Sequence, residues 1–254
     1  MSSDLKFGKT AARPEAVKFK FANYADKKVL PKPPRSFGHE ASVPKTKWGM
    51  LANDQYGCCV LAGAAHESML WTRMSKTCPD SEFSEAGVLA AYADITGFKP
   101  SDPATDNGTD MKDAASYRRK VGILDKNNER HKIAAYLSID PTNLTEHYQA
   151  LYLFGALGIG IQCPSNVIDQ FDAGKAWSVT KGTKIEGGHY VPLVARRNTL
   201  MCVTWGKTQG MTAGFFGKYN DESIAYLSEE MLENRKSPEG FDYDALLADL
   251  NSLK

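Results

Sequence analysis

The sequence has little that would send it to a membrane, a metal or a nucleic acid. No stretch approaches the roughly eighteen consecutive apolar residues that a membrane-crossing helix needs. The opening MSSDLKFGKTAARPEAVKFKF has no apolar core of the kind a secretory signal carries, so a cytoplasmic or virion-associated location is expected. Neither sign of charge is in excess: 31 Lys and Arg stand against 30 Asp and Glu. That balance builds no field for nucleic acid or an anionic bilayer, and neither is expected as a partner. There is no C-x-x-C and no H-E-x-x-H, and the five histidines are scattered, so no metal and no cofactor is expected. The acidic loop DPATDNGTD misses the calcium-loop pattern, with Ala104 at the third position and the glycine one place late, and it reads as a turn. Five cysteines, an odd number without a signal peptide, fit reduced thiols better than a disulfide framework.

What is present divides into three parts. Residues 1–47 are basic and proline-rich, with LPKPPRSFG as the clearest stretch. Proline fixes φ and blocks helix, which predicts an extended arm. Phe19, Phe21 and Tyr24 favour docking on the domain over a disordered tail. Residues 48–230 form the domain, and 231–254 a turn and a short amphipathic helix in FDYDALLADLNSLK. Within the domain, the run from Cys59 to Trp71 is apolar nearly all round and predicts a central buried helix. Helices follow in SEFSEAGVLAAYADITG (cap Ser81 or Ser84, stop Gly97), in GTDMKDAASYRRKVGI (cap Thr109 or Asp110) and in NLTEHYQALYLFG. The texture then changes. ALGIGIQCP is a short apolar strand, GGHYVPLVARRNTLMCVTWG a hairpin with strands at 191–195 and 200–204, and SIAYLSEEML a further strand. Helices first and antiparallel strands later give an α+β class.

The adjacent pair Cys58-Cys59 opens the central helix. A helix N-terminus carries partial positive charge, which lowers a thiol pKa and favours the nucleophilic thiolate. Core packing is the competing account of a cysteine in such a run. A thiolate needs a base. His66 is two turns further along the same helix, about 10 Å away, so it packs or caps. His39, His131 and His147 lie in polar contexts and read as surface residues. His189 follows a glycine pair and enters a strand that would hold it stiffly. Cys163 and Cys202 read as core, and the run Arg118-Arg119-Lys120 as a solvated helix face.

In order, the motifs are Asn-Asp-Gln…Gly-x-Cys at a helix start, a mid-chain helix ending in VGI, an apolar strand, then GGH opening a hairpin that closes on TWG. This order resembles the papain-like cysteine peptidase superfamily over roughly residues 45–225. WGMLANDQYGCC, GGHYVPLV and VTWGKTQGMTAGFFGKYNDESIAYLS resemble more closely a family of phage and prophage papain-like proteins, whose helix-start motif reads N-D-x-x-G-D-C. The resemblance implies an α+β papain-like fold with a helical lobe and an antiparallel β lobe. It implies Cys59 as nucleophile, His189 as base, and Asn53, with Gln55 second, as the amide that stabilises an oxyanion. It places Val203 where an orienting Asn stands, and Thr204 on the opposite face of its strand. The implied activity is a Cys–His peptidase or amidase acting by acyl transfer on a peptide or protein substrate. The alternative is a catalytically degenerate virion component (capsid, tail or decoration subunit) contacting other virion subunits through the arm.

Overall fold

An alanine-rich helix with no polar face is stable only when surrounded, and the first long helix, α1 (Cys59–Met74), is buried at every residue from Cys59 to Thr72. In this computed structural model the described residues are 5–13, 15–24, 30–75, 77–228, 230 and 248. The expected C-terminal helix lies, except for Ala248, outside them. Two helices pack beside α1. In α2 (Glu85–Thr96), Ser84 caps the start by accepting from Gly87 N at 3.2 Å, and Gly97 ends the helix at φ 75°. In α3 (Met111–Lys120), Asp110 is the cap, accepting from Asp113 N at 2.9 Å. Both resolve a choice that composition left open.

The other lobe is a seven-stranded sheet. Its main path runs β4 (Ala135–Ser138), β9 (Asn220–Leu227), β5 (Leu157–Pro164), β6 (Ile185–Arg196), β7 (Leu200–Thr204) and β8 (Lys207–Met211), all neighbours antiparallel. A two-residue strand, β1 (Phe37–Gly38), adds to β6 at Ala195 and Arg196. A separate hairpin joins β2 (Ile123–Leu124) and β3 (Arg130–His131). Helices α4 (Leu144–Phe154), α5 (Val167–Asp172) and α6 (Ala213–Tyr219) are the remaining α-helices among the described residues. The strand carrying His189 is longer than the hairpin reading allowed. It begins at Ile185 and pairs with β5 on one side and β7 on the other, so His189 sits inside the sheet opposite Ile161. The long strand β6 is also the main support of α1, and that packing brings the two lobes to one seam.

Three surface expectations are corrected. His147 is fully buried, with Nδ1 2.8 Å from Asn143 O and Nε2 2.7 Å from Ser223 Oγ. His131 is mostly covered, with Nδ1 2.5 Å from Glu230 and Nε2 3.5 Å from Asp125. Arg118 does not face solvent either. It is buried with its guanidinium 2.6 Å from the buried carboxylate of Glu67, which also accepts from Tyr190 OH at 2.6 Å. In each case a polar neighbourhood in the sequence hid a side chain with a partner far along the chain: Ser223 for His147, Glu230 for His131 and Glu67 for Arg118.

Candidate active site

Cys59 is the first residue of α1, with Cys58 at the cap position. The loop before it is clamped by the acidic turn. Gly57 N donates to the Asp106 carboxylate at 3.1 Å, and Asp106 accepts from Tyr92 OH at 2.6 Å. The remaining carboxylates of that turn serve as helix caps at Asp102 and Asp110. The acidic loop is therefore a brace for the helix start. The Cys59 sulfur accepts a hydrogen bond from the amide of Tyr190 at 3.4 Å. The thiol is thus in contact with the residue that follows His189, across 131 positions of sequence.

His189 is fully buried. Its Nε2 lies 2.7 Å from Thr204 Oγ1, and its ring stacks on Trp205 with centroids 4.5 Å apart and planes 17° from parallel. Among the described residues Nδ1 has no hydrogen-bond partner. In the tautomer that donates from Nε2 to Thr204, Nδ1 carries the free lone pair, which is the form a general base requires. Thr204 therefore does what an orienting Asn would do, and the expectation that it faces away is overturned. The motif alignment placed the orienting group one residue early at Val203, and on a period-two strand a one-residue slip swaps the faces. Trp205, which follows, has φ 44°, a left-handed conformation that ends the pleat and turns its indole over the imidazole.

Asn53 is buried and follows two further residues with positive φ, Leu51 at 54° and Ala52 at 65°. Three of the five non-glycine residues with positive φ among the described residues thus flank this seam. Such backbone persists only where its surroundings hold it. Asn53, Cys59, Thr204 and Trp205 line one small void of about 10 Å3, with space for little more than one water. Gln55 is exposed and does not line it. The Asn53 amide donates to Tyr56 O at 3.0 Å and to Lys6 O at 3.4 Å.

Lys6 belongs to the N-terminal segment, which fills the seam. The Lys6 carbonyl also accepts from Trp205 Nε1 at 3.4 Å. Phe7 sets its ring edge-on to His189 at 5.7 Å. Gly8 N and Lys9 N both donate to Gly188 O, at 3.0 and 2.9 Å, and Thr109 N donates to Gly8 O at 2.7 Å. The chain passes so close to the helix start that a Cβ on Gly8 would fall 1.9 Å from Gly57 O, which only glycine allows at that place. The carbonyls of Lys6 and Gly8 are thus both held by donors of the domain.

This cover decides the protonation states. Burial pushes the Cys59 thiol up to about 12, although Tyr190 N, Gly8 N and the Lys9 charge all work to lower it. Burial likewise lowers His189 to about 3. The helix N-terminus was expected to favour thiolate. With the segment in place desolvation outweighs it, and both groups are neutral. Burial also lowers His66 to about 4, and its Nε2 sits 2.9 Å from Trp48 O, a packing role as expected. Cys163 and Cys202 are buried core residues. Among the described residues Asp125, Glu129 and His131 offer ligand atoms within 4.8 Å of one another. Asp125 Oδ1 accepts from Asn127 N and Glu129 N, and His131 Nδ1 is paired with Glu230. Two features were missed from sequence: Thr204 as the partner of His189, and residues 6–10 as the cover of the site. Neither left a local signal, since both arise from pairing across the fold.

No protein-family model matches the chain, and no curated protein matches it in sequence. Solved structures do. Xylellain, a cysteine protease from Xylella fastidiosa, superposes with TM-score 0.67 at 12% identity, over 90% of this chain and 98% of that one. Procathepsin B S9 from Trypanosoma congolense gives 0.63 at 12%, over 90% and 88%. Digestive procathepsin L 3 from the larval midgut of Tenebrio molitor gives 0.55 at 13%, over 84% and 76%. The chain has the α+β papain-like fold.

Proposed function

We propose that this papain-like chain is a cysteine peptidase or amidase of phage type, acting by acyl transfer through Cys59 and His189. The observation that carries the proposal is an imidazole fixed by Thr204 and Trp205, with a free Nδ1, in a strand whose next amide donates to the Cys59 sulfur. Once the N-terminal segment is displaced, water re-enters and the thiol at the head of α1 regains the stabilisation a helix N-terminus gives its anion. Cys59 then passes its proton to His189 Nδ1 and attacks a carbonyl carbon. Asn53 Nδ2, freed from Lys6, and the Cys59 amide hold the oxyanion. The imidazolium protonates the departing amine as the C–N bond breaks, which leaves a thioester. Water, deprotonated by His189, attacks the thioester, releases the acid and regenerates the thiol. Two of the similar structures are by name proenzymes, in keeping with a covered sulfur.

The test is labelling by iodoacetamide at neutral pH, located by mass spectrometry, alongside turnover of a protein substrate such as casein. Lys9→Glu places a carboxylate against Asp221 and Glu222 and is expected to lift the segment, so this chain labels at Cys59 and the unaltered chain does so far more slowly. Cys59→Ala on that background removes label and turnover, and His189→Ala slows labelling by about 100-fold. Label on Cys58 instead, or an unchanged rate without His189, defeats the reading. A second reading is favoured by the filled seam itself: the chain keeps the fold as a virion subunit and its segment never leaves. Many copies co-purifying with phage particles, with no turnover by the Lys9→Glu chain, would decide for it.

A further inference from the structure

The hairpin of β2 and β3 gathers charge of one sign around a single imidazole. Asp125, Glu129 and His131 each bring a ligand atom within 4.8 Å of the other two. Glu230, just past β9, adds a third carboxylate through its contact with His131 Nδ1 at 2.5 Å. Among the described residues no lysine or arginine pairs with any of these carboxylates. The neighbouring cations are turned elsewhere, Lys126 to Glu82 at 3.1 Å and Arg130 to Gly122 O at 3.2 Å. Two buried atoms of the group lack a hydrogen bond among the described residues, His131 Nε2 and Glu230 Oε2. The His131 side chain is nine-tenths covered, at 10% exposure, and its Nε2 stands 3.5 Å from Asp125 Oδ2. That separation is long for a hydrogen bond. It is the span between two ligands of one tetrahedral zinc, roughly 3.3–3.5 Å for metal–ligand bonds of about 2.0–2.1 Å.

The ring is held as a metal-bound histidine is held. Such an imidazole donates its other N–H to a carboxylate, and here Nδ1 is paired with Glu230, which leaves the lone pair on Nε2. Phe83 packs against the ring with centroids 5.2 Å apart. Asp125 is equally constrained. It is 5% exposed, Oδ1 accepts from the amides of Asn127 and Glu129 at 2.8 and 2.9 Å, and Oδ2 meets only the Asn127 side-chain amide, at 3.4 Å, besides the imidazole. Glu129 is exposed and its side chain is free to close on an ion. The spacing Asp-x3-Glu-x-His matches neither metal motif sought in the sequence, because a two-stranded hairpin brings the ligands together. We propose that Asp125, Glu129 and His131 bind a divalent transition-metal ion of the zinc class, with Glu230 as the positioning carboxylate behind the imidazole. The nitrogen ligand favours zinc over calcium and magnesium, which take oxygen. Three protein ligands leave one place for water. The ion ties the hairpin that follows α3 to the residue beyond β9, so its role is structural. Nothing in this depends on Cys59 or His189.

The experiment uses the full chain, stripped with a chelator and dialysed, then titrated calorimetrically with zinc and, in parallel, with calcium and magnesium. One equivalent of zinc is expected, bound about 100-fold or more tightly than either of the others. Glu129→Gln alters an exposed side chain and keeps the fold. It is expected to weaken zinc binding about tenfold or more, Glu230→Gln to weaken it about 10–100-fold, and His131→Gln to abolish it. X-ray absorption by the zinc-loaded chain is expected to show one imidazole and oxygen ligands without sulfur. That readout separates this site from Cys78, the one cysteine of the five that is not buried. Sulfur ligation, an affinity that neither Glu129→Gln nor Glu230→Gln changes, a preference for calcium, or no zinc bound would overturn the proposal. In the last case His131 is an imidazolium held between Asp125 and Glu230 and nothing more.

Discussion

Thr204 is the residue on which the imidazole's orientation depends. Its hydroxyl is the partner of His189 Nε2, and among the described residues the ring has no other hydrogen bond. Thr204→Val keeps shape and removes the acceptor, which leaves a buried N–H unsatisfied at a cost of about 1–3 kcal/mol. In the Lys9→Glu background the alkylation rate of Cys59 is expected to fall about tenfold or more, because the wrong tautomer becomes accessible. Val203→Asn, the substitution that would restore the familiar motif, is expected to leave that rate unchanged and to lower the urea midpoint, because Thr204 already holds the imidazole and Val203 is fully buried. A rate gain from Val203→Asn would return the orienting role to position 203. Cys59 and His189 were picked out by residue type and order, and Asn53 by the resemblance alone. The role of Thr204 was not, since it depends on where a strand of five residues ends.

At the scale of elements, α1 is held to its surroundings by an ion pair that sequence patterning disguised. Glu67 on α1 and Arg118 on α3 are both buried, and Tyr190 from β6 donates to the same carboxylate. The guanidinium also lies 4.3 Å over the ring of Tyr226 on β9. One hydrogen-bonded cluster thus ties two helices to the sheet. Arg118→Leu strands a buried carboxylate and is expected to cost about 3–5 kcal/mol, read as a lowered urea midpoint at unchanged slope. Adding Glu67→Gln is expected to recover much of the loss, because the uncompensated charge and not the missing contact is the larger part. Strict additivity of the two changes would show that the pair does not act as a unit. The basic run ending α3 read as solvated because helical spacing sends Arg119 and Lys120 outward. Only the packing angle of α3 turns Arg118 inward.

Across the whole molecule, burial decides the charge state of three of the five histidines. His66, His147 and His189 are lowered to about 4, 4 and 3 by desolvation. A depressed imidazole leaves the folded chain binding fewer protons than the unfolded one between its folded pKa and about 6.5. Stability in that window therefore rises with pH and is lost on acidification. Each of the three contributes a slope of about 1.4 kcal/mol per pH unit. Urea midpoints between pH 4 and pH 7 are expected to show this steep dependence. They are also expected to flatten by one imidazole's share in the Lys9→Glu chain, where water reaches His189. An unchanged slope in that chain would mean that residues 6–10 are not what keeps His189 dry.

The sequence by itself determined the class of fold and the order of its parts. An all-apolar helix must be central, helices first and antiparallel strands later give α+β, and a thiol at a helix head and a histidine after two glycines can be picked out by chemistry. These are properties of near neighbours along the chain, where spacing dictates which face a side chain takes. Only the tertiary structure decided which hydroxyl orients the imidazole, that Lys6 to Thr10 cover the sulfur, and that a lysine from the N-terminal segment ends between two carboxylates more than two hundred residues away. Those contacts are fixed by strand register and by the close approach of glycine-lined backbones. Neither has a period that can be read from one segment alone.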